Sequence, residues 1–82
     1  KKRKNSSLLQ LHYRVLIMTA ITVATEFAGE VRHAIYRNLP TYITVTTISR
    51  DGETIFTFPC DYDTLEMILA YIPIGINFIL EL

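Results

Sequence analysis

Residues 7–18 read SLLQLHYRVLIM, and the period of that stretch decides the fold. Leu9, Leu11, Tyr13, Val15 and Ile17 alternate with Gln10, His12 and Arg14. A period of two puts alternate side chains on opposite faces, so the stretch reads as a strand with one polar face. A helix competes, because Leu9, Tyr13, Leu16 or Ile17, and Ala20 also recur at helical spacing. That helix would fuse with the next segment into about 30 residues, long against a mean of about 11–12. The β-branched content favours a strand near residues 9–18.

From Thr22 the period lengthens. Val23, Phe27, Val31 and Ile35, with Ala24, Ala28 and Ala34 beside them, make an apolar stripe opposite Glu26, Glu30, His33 and Arg37. Acids lead and bases follow, which suits a helix dipole. Pro40 stops this helix after Asn38, a residue that tolerates a left-handed cap. Gly29 weakens it by about 1 kcal/mol relative to Ala, and close packing on the sheet is the expected reason.

Residues 41–60, TYITVTTISRDGETIFTFPC, hold the strongest local signal. Asp51-Gly52 between two β-branched runs predicts a two-residue hairpin turn. The register pairs Arg50 with Glu53, Ile48 with Ile55, Thr47 with Phe56 and Val45 with Phe58. Ile43, Val45, Phe56 and Phe58 then form the core face. Tyr42, Thr44, Thr46, Thr57, Ile48 and Ile55 take the other.

In DYDTLEMILAYIP, residues 61–73, Asp63 is the expected N-cap, with Glu66 three residues on, and Pro73 ends the helix. Leu65, Ile68, Leu69 and Ile72 form its buried stripe. Ile74, Ile76, Phe78, Leu80 and Leu82 then alternate with Gly75, Asn77, Ile79 and Glu81 as a last strand. The series is βαββαβ, which is the ferredoxin-like plan: an α+β sandwich of one antiparallel sheet with two helices on one face. A long N-terminal helix would make it αββαβ instead. Residues 1–7 are expected to be a flexible basic tail, and residues 8–82 a single domain.

Eighty-two residues, 50% of them hydrophobic and 20% charged, exclude a disordered or Gly-periodic chain. So small a domain cannot bury all that apolar surface internally, which points to a partner and most simply to a second copy. The net charge of zero conceals an asymmetry. Lys1, Lys2, Arg3 and Lys4 carry half the cations, so residues 5–82 hold four arginines against eight acids, a net −4. An acidic body repels phosphate, and nucleic-acid affinity would have to come from Lys1–Lys4 and Arg14. The single Cys60 forms no internal disulfide and fits a reduced, cytoplasmic setting. The apolar run from Val15 to Ala28 follows a basic start as a signal peptide would. Gln10, His12 and Arg14 interrupt the approach, and about 14 residues fall short of the ~20 that span a bilayer. No membrane association is expected.

The sequence contains no Gly-rich phosphate loop, no HExxH and no paired-Cys metal spacing. His12, His33 and Cys60 fall on three separate elements, whereas a metal needs three or four converging ligands. Asp61 and Asp63 form a D-x-D, which helix capping explains. The chain is therefore expected to have no catalytic residues, metal or cofactor. The open sheet face offers only Tyr42 as an aromatic platform, too little for base stacking. Its apolar members are Leu16, Met18, Ile48, Ile55 and Ile79, and these are the expected partner interface.

The expected function is a small non-enzymatic interaction or regulatory domain. It is a homodimer that presents a sheet face or edge to a protein partner. One alternative is a nucleic-acid-binding protein using the basic tail. Another is a small-ligand regulatory domain with its pocket at a dimer interface.

Overall fold

The computed structural model describes residues 15–82. The expectations for the basic tail at 1–7, for Gln10, His12 and Arg14, and for a strand beginning near residue 9 lie outside the described residues. The elements are β1 (Ile17–Ala24), a 3-10 turn (Thr25–Phe27), α1 (Ala28–Asn38), β2 (Thr46–Arg50), β3 (Glu53–Cys60), α2 (Tyr62–Tyr71) and β4 (Phe78–Glu81).

The strand reading holds at residues 17 and 18, and β1 runs on through Ala24. This excludes one long helix over residues 13–22 and corrects the helix start expected at Thr22. Ile17, Thr19, Ile21 and Val23 continue a period of two into the core, and Ile21 and Val23 are buried. β1 is central: it pairs antiparallel with β3 along its whole length and with β4 from Ala20 to Val23. Ladders on both sides outweigh the local helical spacing of Val23, Phe27 and Val31.

α1 buries Ala28, Val31, Ala34 and Ile35. Asn38 remains helical, where a left-handed cap was expected, and its Nδ2 donates to Ala34 O at 2.8 Å. The helix ends at Leu39, whose extended backbone (φ −84°, ψ 144°) is what a residue preceding proline adopts. Gly29 is exposed, and a Cβ there would meet no atom within 4 Å, so close packing does not explain it.

The hairpin has the expected register, from Thr46↔Thr57 through Ile48↔Ile55 to Arg50↔Glu53. Asp51 (φ 54°) and Gly52 (φ 81°) both take positive φ, the signature of a type I′ turn. Ile43 and Val45 pack half-buried on the core but precede β2.

α2 starts earlier than expected. Asp61 is its N-cap, with Oδ1 accepting from the Thr64 N–H at 2.7 Å, and Asp63 lies inside the first turn. Asp61 leaves β3 with extended backbone (φ −81°, ψ 169°), the conformation an N-cap needs. The last strand is shorter than the alternation from Ile74 predicts. Pro73–Ile76 instead form a turn closed by Ile76 N–H donating to Pro73 O at 3.3 Å, with Gly75 at φ 102°. Ile74 is left fully exposed.

The sheet order is β2-β3-β1-β4, antiparallel throughout. One face packs on both helices. Ile21, Val23, Phe56 and Phe58 meet Val31, Ile35, Leu65 and Ile68 in a single core. Burying each of these large side chains contributes about 1.5–3 kcal/mol. Thr54, buried among them, shares hydrogen bonds with Thr25 Oγ1 (3.0 Å) and Ser49 Oγ (2.8 Å). Among the described residues no buried side-chain polar atom lacks a partner.

Candidate functional site

Strand alternation and register assemble the sheet's other face. Since odd-numbered β1 residues and even-numbered β3 residues enter the core, Met18, Ala20, Thr22 and Ala24 and then Glu53, Ile55, Thr57 and Pro59 turn away from it. Pairing aligns Ile48, Ile55, Thr22 and Ile79 into one row that crosses all four strands. At the interstrand spacing of about 4.8 Å the row is about 14 Å long. The neighbouring row is Thr46, Thr57, Ala20 and Glu81, and beyond it Met18 stands opposite Pro59. At the turn end Arg50, Glu53 and Ala24 close the face.

Neither of the described helices covers this layer. Met18 is 60%, Ile48 53% and Ile79 58% exposed, although each is a residue that ordinarily enters a core. Ile55 is half-buried because Ile48 and Thr22 flank it. A shallow depression of about 260 Å³, lined by residues 22–24 and 77–79 and by Glu53, lies at the end of the sheet beside Ile79 and reaches the helix side at Val23 and Phe78. Glu53 is its one charged lining residue.

Four of the five expected interface residues, Met18, Ile48, Ile55 and Ile79, therefore share the open face. Leu16 lies just ahead of β1 at the end of the sheet. It is exposed, and it lines a cavity of about 70 Å³ with Leu39, Pro40, Tyr42, Ile43 and Cys60. Thr46, Thr57 and Glu81 occupy the open face as expected, whereas Tyr42 and Thr44 precede β2. Thr22, expected to open the helix, and Ala20, beyond the expected strand near residues 9–18, are face residues that the sequence reading missed. The one local signal was the short alternation Ile21-Thr22-Val23, and the pairing of β1 extends it. Lys1, Lys2, Arg3, Lys4 and Arg14, the expected phosphate contacts, lie outside the described residues.

The remaining chemistry-bearing groups stand apart. His33 is exposed on α1, and Cys60 is buried at the end of β3. Among the described residues no three His, Cys, Asp or Glu gather as metal ligands. No described helix is long and apolar enough to cross a membrane. Arg37 lies 5.1 Å from the Tyr71 ring centroid and Arg32 lies 5.5 Å from that of Phe56, contacts that tie α1 to α2 and to β3. No known protein family, curated protein or solved structure matches the chain.

Proposed function

We propose that this protein is a non-enzymatic interaction domain of the ferredoxin-like plan, acting as a homodimer that docks a protein partner through its sheet. The βαββαβ element order and the antiparallel order β2-β3-β1-β4 support that plan. A fold of this kind names no activity, so the functional reading rests on the surface. The observation that carries it is the row of Ile48, Ile55, Thr22 and Ile79 on a face that none of the described helices covers. Contiguous apolar surface of this sort marks docking sites, and the depression beside Ile79 receives a partner side chain. Arg50, Glu53 and Glu81 surround the row and select the partner by charge complementarity. The free thiol of Cys60 suits a reduced, cytoplasmic compartment.

Ile48→Glu, at the β2 end of the row, tests this reading. An exposed carboxylate on a solvated face costs little, whereas one trapped unpaired in an interface costs several kcal/mol. Sedimentation velocity at matched micromolar concentration should show a parent that self-associates and a variant that does so less, with unchanged circular dichroism. Two monomers would dismiss self-association through this surface.

A further inference from the structure

Among the described residues nothing pairs with the outer edge of β2 or covers its faces, and the strand is its own complement. All five of its residues are exposed. Thr47 and Ser49 turn toward the helix side of the sheet and remain exposed there, so the helix layer stops short of β2. Natural edge strands are guarded by Lys, Pro, bulges or inward charges. TTISR contains no Lys or Pro, its pairing with β3 runs one-to-one without a bulge, and its one charge, Arg50, sits at the turn. The other edge, β4, is four residues long and bears Glu81 on the open face.

Backbone direction follows from the turn. In a two-residue hairpin the flanking pair, Arg50 and Glu53, exchanges both hydrogen bonds, and so do alternate pairs beyond it. Arg50, Ile48 and Thr46 therefore spend their amides and carbonyls on β3. Thr47 and Ser49 aim theirs at the open edge. We propose that two copies of this chain pair antiparallel through β2 about a two-fold axis at Ile48, forming one eight-stranded sheet. Thr47 of one copy then exchanges hydrogen bonds with Ser49 of the other, and the symmetry repeats the ring, giving about four interchain backbone bonds. Ile48 faces Ile48 of the second copy as a closely spaced non-bonded pair. Arg50 faces Thr46, so like charges never meet.

This inference rests on the self-association in the reading above and says where it occurs. Its consequence is that the row from Ile79 to Ile48 runs on into the second copy, so the dimer offers one doubled apolar face to a further partner.

Disulfide linking tests it in a Cys60→Ala background. Non-bonded antiparallel pairs bring Cα atoms to about 4.5 Å, within disulfide reach. Mild oxidation should link most of an Ile48→Cys variant into dimers and leave an Ile79→Cys variant mostly unlinked. In parallel, Thr47→Pro removes an outward amide that β3 does not use, and it should raise the dimer dissociation constant about ten-fold or more without changing circular dichroism. A dimeric parent that links through Ile79→Cys and not Ile48→Cys would overturn the edge pairing and leave a face-to-face dimer. A parent that stays monomeric at ~100 μM, with no linking at Ile48→Cys, would overturn self-association altogether. If Thr47→Pro unfolds the hairpin, the linking pattern alone decides.

Discussion

Cys60 closes β3 with its thiol in the core, 3.8 Å from Thr19 Oγ1. Burial pushes the thiol above its ordinary value of 9.0; the Thr19 contact pulls it back down, and the Asp61 charge adds to the rise. The sign of the stability effect follows. The unfolded chain ionises this thiol near that ordinary value while the folded chain still holds the proton. Stability contributed by the neutral thiol is thus complete below that pH and is lost as pH climbs through the raised folded value. Raising the pH from ~7 to ~10 should therefore lower the melting temperature of the parent more than that of Cys60→Ala, each referenced to its own value at pH ~7. Equal decrements would mean that Cys60 ionises alike in both states. A lone cysteine in the sequence already reads as a small buried thiol. Its neighbour Asp61 reads less well, because either acid of the D-x-D can cap a helix. The choice depends on where β3 stops, which is a pairing property that no local pattern contains.

At the scale of elements, two glycines with opposite roles make a contrast. Gly29 stands in the first turn of α1 with open space where a Cβ would go, so Gly29→Ala should stabilise the fold by about 0.5–1 kcal/mol. Gly52 holds φ at 81° in the hairpin turn, and Gly52→Ala should destabilise by about 1–2 kcal/mol. Urea denaturation of both variants checks the pair, and two changes of the same sign would contradict it. The hairpin was legible because Asp-Gly and flanking β-branched residues act over a few positions. The junction between β1 and α1 was not. Residues 21–24 satisfy a strand period and the front of a helical stripe together, and only pairing with β3 and β4 resolves them. The same limit hid the Pro73–Ile76 turn, where positive φ at Gly75 interrupts an alternation that local reading extends to Ile74.

For the whole molecule, electrostatics separates the interaction reading from its nucleic-acid alternative. The open face was largely legible from alternation, since Met18, Ile48, Ile55 and Ile79 could not all enter a core on the helix side. A face of that composition offers a nucleic acid little, because its central row has no aromatic ring for a base, and the acids Glu53 and Glu81 border it. With residues 5–82 at net −4, phosphate attraction falls to Lys1–Lys4, assisted by Arg14. At most about four or five phosphates would be neutralised, which limits the salt dependence on duplex DNA to a log–log slope of roughly −4. Oligonucleotide binding by the intact chain should accordingly be weak, insensitive to sequence and gone near ~150 mM salt. Deleting Lys1–Lys4 should abolish what remains at low salt and leave the melting temperature unchanged, because Lys and Arg side chains seldom enter a core. Sub-micromolar affinity for a defined oligonucleotide that survives ~150 mM salt needs base contacts as well as phosphate contacts. Such a result would transfer the open face from a protein partner to a nucleic acid.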